Sequence, residues 1–90
     1  MASVEKIKAA IAQIAQRRKN TTLSEIEWVI NQLGEQGHAV RSRSTTHGVL
    51  YAVGSARFSV CVHHPGSKQV KPCYVDGFLE AMIEIGMYDE

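Results

Sequence analysis

Apolar residues change their spacing near Gly37, and this change constrains the fold more than any other feature of the sequence. Before Gly37 they recur every three or four positions, which is typical of helices with one buried side. After it they alternate with polar residues until about residue 63, which is typical of strands with one buried face. Because the chain has only 90 residues, helices and strands must share one compact core.

Two helices are predicted before this change. The apolar stripe of the first helix comprises Val4, Ile7, Ile11 and Ile14. Ser3 is its expected N-terminal cap, and the cations at residues 17–19 suit its C-terminal end. The second helix is predicted over residues 23–36, because residues 22–25 form a capping box. In such a box the Thr22 hydroxyl and the Glu25 carboxylate each accept a backbone N–H.

Three strands and a final helix are predicted after the change. The strands are residues 38–43, 48–53 and 57–63, and their short links predict an antiparallel meander. In the third strand, one face carries Phe58, Val60 and Val62, and the other carries Arg57, Ser59, Cys61 and His63. A loop is predicted over residues 64–72 and a helix over residues 74–85. The apolar side of that helix is predicted to comprise Phe78, Leu79, Met82, Ile83 and Ile85.

The predicted order of elements is therefore α-α-β-β-β-α. Two helices on one face of a three-stranded antiparallel sheet form a two-layer α+β domain. Residues 1–20 are interpreted as an N-terminal helical extension, and residues 21–90 as an αβββα domain. The stripe of the first helix is expected either to pack onto this domain or to pair two copies in a homodimer.

Charge is distributed unevenly, although the net charge is only +1. Residues 36–75 contain no acid but hold all four histidines and five bases. The bases are Arg41, Arg43, Arg57, Lys68 and Lys71. Residues 76–90 contain five acids and no base. A basic middle segment of this kind favours a partner that carries phosphate groups, such as a nucleic acid.

Composition disfavours several other classes of protein. No apolar run is long enough to span a membrane. The two cysteines are too few for a disulfide scaffold, which favours a reducing cytoplasm. Cys61, His63, His64 and Cys73 have the ligand types of a zinc site, but their spacing is not that of a common zinc finger. We therefore expect no metal and no cofactor, and packing roles for both cysteines.

The order of these segments resembles the HicA family of toxins, which are small ribonucleases of bacterial toxin–antitoxin pairs. The resemblance runs through the helix 23–34, which ends in a glycine, the Arg-containing strand 40–43, the turn 44–48 and the segment 70–75. It implies a fold similar to double-stranded-RNA-binding domains, cleavage of mRNA, and neutralisation by a HicB-like antitoxin protein. It also implies that His47, at the start of the second strand, is the catalytic residue.

Histidine suits metal-independent cleavage of RNA, because its pKa of about 6.5 makes both protonation states available near neutral pH. His47 is the candidate acid or base, and nearby cations would stabilise charge that develops on the phosphate. The candidate RNA-binding residues are Arg41, Arg43, Thr45, Thr46, Arg57, His63, His64, Lys68 and Lys71. Tyr51 has the same strand parity as His47 and is a further candidate for substrate contact.

Two alternatives stay open at this point. Thr45 and Thr46 stand where the HicA family usually has Gly-Ser, and Gly48 stands where it usually has a histidine or an aromatic residue. These differences favour a non-catalytic RNA-binding module on the same fold. The other alternative is a protein-interaction domain whose basic segment has no role in binding nucleic acid. Trp28, beside the apolar stripe of the second helix, is expected to pack at the edge of the core.

Overall fold

The computed structural model describes residues 3–44, 48–61 and 69–89. The helices are α1 (Val4–Gln16), α2 (Leu23–Glu35) and α3 (Pro72–Glu84), with a single 3₁₀ turn at Arg18–Asn20. The strands are β1 (Val40–Ser44), β2 (Val49–Val53) and β3 (Ala56–Val60), and they form an antiparallel sheet in the order β1-β2-β3. The α+β class and the three-stranded antiparallel sheet are therefore confirmed.

Side-chain caps fix the first turns of α1 and α2, as predicted. The Ser3 hydroxyl accepts a hydrogen bond from the backbone N–H of Lys6 at 3.2 Å, and Thr22 Oγ1 accepts one from the backbone N–H of Glu25 at 3.4 Å. The predicted capping box differs in one respect. The Glu25 carboxylate is bound by the Thr22 hydroxyl at 3.3 Å and by the Arg17 guanidinium at 2.8 Å. The carboxylate therefore joins α2 to the end of α1.

Helix α3 begins two residues earlier than predicted. Pro72 occupies its first turn, because a proline ring presets the helical φ and the N–H that proline lacks has no partner at that position. From the sequence, Pro72 is expected in the preceding loop. The buried stripe of α3 includes Val75 and Ala81, which were not predicted. Ile83, which was predicted on the apolar side of this helix, lies beside the stripe and is 40% exposed.

The helices cover one face of the sheet, and the core lies between the two layers. This face carries Tyr51 and Val53 of β2 and alternate residues of β3, which are Ala56, Phe58 and Val60. The ring centroid of Phe58 lies 5.3 Å from that of Tyr51 and 5.4 Å from that of Phe78 on α3. Tyr51 is only 6% exposed. It is therefore a core residue, and the structure gives no support for its predicted contact with substrate.

Helix α1 belongs to the same core. Ile7, Ile11 and Ile14 are buried in one apolar cluster with residues of α2, α3 and the sheet. Of the two alternatives for this stripe, the structure therefore shows packing onto the rest of the chain. Val4, at its N-terminal end, is exposed. None of the helices in the described ranges is long and apolar enough to cross a membrane.

A clamp, formed by residues 17–22 and residues 69–71, joins the α1–α2 junction to the segment before α3. The carbonyl of Thr21, a fully buried residue, accepts a hydrogen bond from the Val70 N–H at 2.9 Å. Gln69 Nε2 donates to the Lys19 carbonyl at 2.6 Å. The Lys71 N–H donates to the Cys61 carbonyl at 3.3 Å. The clamp thus holds the start of α3 beside the end of β3.

Candidate nucleic-acid interface

The strand register places three arginines on the sheet face that points away from the helices. Arg41 of β1 lies opposite Ala52 of β2, which lies opposite Arg57 of β3. The next row consists of Arg43, Leu50 and Ser59. Successive residues of a strand point to opposite faces, so these six residues share one surface. We call this surface the open face.

Spacing on the open face follows from the geometry of a sheet. Neighbouring strands lie about 5 Å apart, so the Cα atoms of Arg41 and Arg57 are separated by about 10 Å across Ala52. Arg41 and Arg43 are two residues apart on one strand, a separation of about 7 Å. All three arginines are exposed, and their planar guanidinium groups match phosphate oxygens in geometry as well as charge.

The open face is positively charged without local compensation. It carries no acidic residue, and none of its arginines forms an ion pair with a residue in the described ranges. The cations at the end of α1 behave differently. Arg17 pairs with Glu25 of α2, and Arg18 pairs with Asp76 of α3. These two arginines join helices, whereas the open-face arginines remain available to an external anion.

Gly48 sits where two parts of the chain approach closely. A Cβ atom at this position would overlap the carbonyl oxygen of Val60 and would lie 2.7 Å from Cys61 Sγ. A histidine or an aromatic residue, as the resemblance expects here, would therefore displace the end of β3. Ser44 and Cys61 lie at this same end of the sheet, which we call the Gly48 end.

Several predicted site residues lie outside the described residues. These are the candidate catalytic His47 and the candidate RNA-binding residues Thr45, Thr46, His63, His64 and Lys68. Lys71 is exposed at the start of α3, where its backbone N–H contacts Cys61. It therefore lies near the Gly48 end and not in either row of the open face. Among the described candidates, only the three arginines share one surface.

Cys61 and Cys73 are both free thiols and flank Tyr74. A hydrogen bond with the Cys61 sulfur raises the pKa of the Tyr74 hydroxyl, and Cys73 adds to this effect. Cys61 is half-buried, but Cys73 is exposed, so the packing role predicted for Cys73 is wrong. Within the described ranges no three His, Cys, Asp or Glu side chains lie close enough together to hold a metal ion.

Leu50 and Ala52 of β2 also belong to the open face, and the sequence analysis assigned neither of them to it. Leu50 is 41% exposed and lies between Arg43 and Ser59, so it offers an apolar contact among the polar ones. The parity of β2 carried this information, because Leu50 and Ala52 alternate with Tyr51 and the two flanking valines. Trp28, which was predicted to pack at the edge of the core, is 39% exposed and lines a groove between α1 and α2.

No protein-family model, curated protein or solved structure matches the chain significantly. The resemblance to HicA toxins therefore stays a prediction.

Proposed function

We propose that this chain binds RNA through the open face and cleaves it without a metal ion, with His47 as the catalytic residue. In this proposal it is the ribonuclease toxin of a bacterial type II toxin–antitoxin pair, built on a fold like that of double-stranded-RNA-binding domains. One observation carries the proposal. The register gathers Arg41, Arg43 and Arg57 on an exposed sheet face that carries no acid.

The open face suits RNA better than it suits an isolated anion. The Cα atoms of its three arginines are roughly 7–12 Å apart, so their long side chains can reach more than one phosphate group. Leu50 and Ala52 lie between them and can contact sugars or bases. Proteins recognise A-form RNA mainly through its shape, its phosphates and its 2′-hydroxyl groups, and a small rigid sheet can present side chains for such contacts.

The catalytic step is assigned to His47 through the resemblance. As general base, its neutral imidazole takes the proton of a ribose 2′-hydroxyl, and the 2′ oxygen attacks the adjacent phosphorus. The bond from phosphorus to the 5′ oxygen then breaks. The leaving 5′ oxygen takes a proton from solvent water, the resulting hydroxide removes the proton from the imidazolium, and a 2′,3′-cyclic phosphate remains. Arg43 lies in the row of the open face nearer to the Gly48 end, where its charge would stabilise the phosphorane.

A HicB-like antitoxin is the proposed protein partner. Neutralisation would require it to cover the open face or the Gly48 end. The proposal assigns RNA binding to the first of these surfaces and cleavage to the second, so the loss of either would stop the reaction. The proposed substrate is mRNA, which places the activity in the cytoplasm. The proposal needs no cofactor, because imidazole and guanidinium groups supply the proton transfer and the charge stabilisation.

The experiment is incubation of the purified protein with a structured mRNA fragment in the presence of EDTA. We expect the parent protein to cut the RNA, and His47→Ala to bind it with similar affinity without cutting. Arg41→Ala and Arg43→Ala should each reduce the slope of log affinity against log salt by about one. Lys8→Ala, on the exposed side of α1, removes the same charge elsewhere and serves as the matched control.

The outcomes separate the three functions under consideration. Cutting by the parent but not by His47→Ala supports the ribonuclease. Salt-sensitive binding without cutting identifies a non-catalytic RNA-binding module. Equal losses of affinity in Lys8→Ala and Arg43→Ala would contradict a role for the open face, and the absence of both binding and cutting would favour a protein-interaction domain.

A further inference from the structure

The outer edge of β3 presents backbone groups that no described residue pairs with. β3 is the last strand of the sheet, and β2 lies on its inner side. The N–H of Gly54 donates to the carbonyl of Ala39 at 2.8 Å, so even-numbered residues of β2 direct their backbone groups to β1. Odd-numbered residues of β2 therefore face β3.

The same alternation fixes the direction of each backbone group in β3. Gly54 and Ser55 form a two-residue turn, and the Gly54 φ of 59° fits the first central position of a type II′ hairpin. Ala56, Phe58 and Val60 then pair with β2, whereas Arg57 and Ser59 direct their N–H and C=O groups outward. The Cys61 carbonyl, next in this alternation, accepts its bond from the Lys71 N–H, as this pattern requires.

A groove of about 520 Å³ runs between this edge and α3. Gly77 brings the helix close to the strand, since a Cβ atom there would lie 4.0 Å from the Phe58 Cβ. Ala81, which is buried, lies behind the same wall. With a volume of about 520 Å³, the groove can hold side chains that stand on the helix side of an added strand.

Two carboxylates line this groove. Glu80 and Glu84 are one helical turn apart on α3, and both are exposed. Neither forms an ion pair within the described part of the chain. On the strand side, Arg57 is the only cation that lines the groove among the described residues. Its side chain belongs to the open face, on the other side of the sheet edge.

We propose that this edge binds an extended segment of a partner protein as a fourth strand, and that alternate residues of the segment are Lys or Arg. The backbone of the segment pairs with Arg57 and Ser59. Its basic side chains point to the helix side, where their methylene stems pack along Tyr74 and Gly77 and their charges meet Glu80 and Glu84. Its other side chains, next to Arg57 on the open face, are small and uncharged.

A second copy of β3 does not fit this edge as well. The helix-facing side of β3 carries only Ala56, Phe58 and Val60, so a second copy would bring no cation to Glu80 and Glu84. Two-fold pairing would also place the acidic side of α3 near its own counterpart. The proposal uses the strand edge and α3, so it stands whether or not the open face binds RNA.

The test is titration of the full-length, ¹⁵N-labelled protein with a blocked heptapeptide of alternating threonine and lysine. We expect saturable changes in the amide chemical shifts of Arg57 and Ser59. Their amide protons should also exchange more slowly with solvent, because both N–H groups gain hydrogen-bond acceptors. A peptide of alternating threonine and glutamate should bind at least about fivefold more weakly, since its charges face Glu80 and Glu84. A scrambled peptide with its lysines consecutive controls for non-specific attraction.

Substitutions at Ser59 test backbone pairing directly. Ser59→Pro removes an outward N–H that takes no part in the ladder with β2, a position where edge strands accept proline. Ser59→Ala keeps that N–H and is the matched control. We expect the proline variant to bind the lysine peptide about fivefold or more weakly and the alanine variant to bind it as the parent does. Thermal unfolding verifies that both variants fold.

Substitutions on α3 test the charge requirement. The double variant Glu80→Gln, Glu84→Gln should lose the preference for lysine over glutamate. Chemical-shift changes confined to α3, with no slowing of hydrogen exchange at the β3 amides, would overturn strand addition. Equal binding of the two alternating peptides by the parent, or equal binding of the lysine peptide by the Ser59→Pro and Ser59→Ala variants, would overturn it as well.

Discussion

The two faces of the sheet are built from alternate residues of the same strands, yet they differ in composition, burial and partners. The helix-facing side carries Tyr51, Phe58 and Val60, which are buried and in the core cluster. The open face carries exposed arginines that form no ion pair within the described ranges. If the open face binds RNA as proposed, stability and recognition depend on different residues of a single strand, and we expect each to change without the other.

The largest expected effect comes from two neighbouring residues of β3. Phe58→Ala removes a ring that packs between Tyr51 and Phe78, and should lower the free energy of unfolding by about 3–5 kcal/mol. Arg57→Ala should change it by no more than about 0.5 kcal/mol, because the side chain is exposed. Urea denaturation measures both values.

RNA binding should show the reverse order for this pair. Arg57→Ala should weaken the affinity for RNA by about tenfold at low salt, because a charged contact to phosphate is lost. Phe58→Ala should bind with near-parent affinity under conditions where it remains folded. A loss of stability in Arg57→Ala as large as that in Phe58→Ala would show that the two faces are not separable.

The next effect concerns Gly48, which has the parity of the open face but is packed as tightly as a core residue. Gly48→Ala should cost about 2 kcal/mol of stability, because the new methyl group overlaps the carbonyl of Val60. Gly34→Ala is the matched control. Its methyl group would lie 3.7 Å from Val40 Cγ2, an ordinary contact, and should stabilise the helix by up to about 0.5 kcal/mol. Thermal unfolding of both variants measures the contrast, and equal effects would contradict it.

The smallest effect is expected at alkaline pH. Burial, with a smaller contribution from the charge of Glu27, raises the pKa of Tyr51 above its value of about 10 in the unfolded chain. The stabilisation that depends on the neutral hydroxyl is therefore fully present below about pH 10 and is lost as the pH rises through the raised pKa. Tyr51→Phe removes this dependence, so its denaturation midpoint should fall less between pH 9 and pH 11 than that of the parent. Parallel midpoint curves would contradict the assignment.

Local patterns predicted much of the fold from the sequence. The caps Ser3 and Thr22 and the bounds of the first two helices followed from spacing and from the chemistry of free backbone N–H groups. The two faces of β3 followed from its alternation. The start of α3 did not, because Pro72 suits a loop and a first helical turn equally well, and only the contacts of Lys71 decide between them.

The candidate site was harder to predict, because it depends on register. Parity shows that Arg41 and Arg43 share a face of β1. It also shows that the Arg57 and Phe58 side chains point to opposite faces of β3. It does not show which face of β1 continues into which face of β3. The pairing of Arg41 with Ala52, and of Ala52 with Arg57, supplies that information. The burial of Tyr51 likewise depends on which face the helices cover.

The clamp has a consequence for the order in which the molecule is completed. Gln69 bonds to the carbonyl of Lys19, a residue 50 positions earlier in the chain. Contacts between such distant positions carry a large entropic cost of loop closure and form after local helices and hairpins. During synthesis, α1, α2 and the hairpin of β2 and β3 can form first, while the start of α3 waits for residues 69–71. We therefore expect the join between the end of β3 and the start of α3, which needs the Lys71 N–H, to be among the last parts of a newly made chain to form.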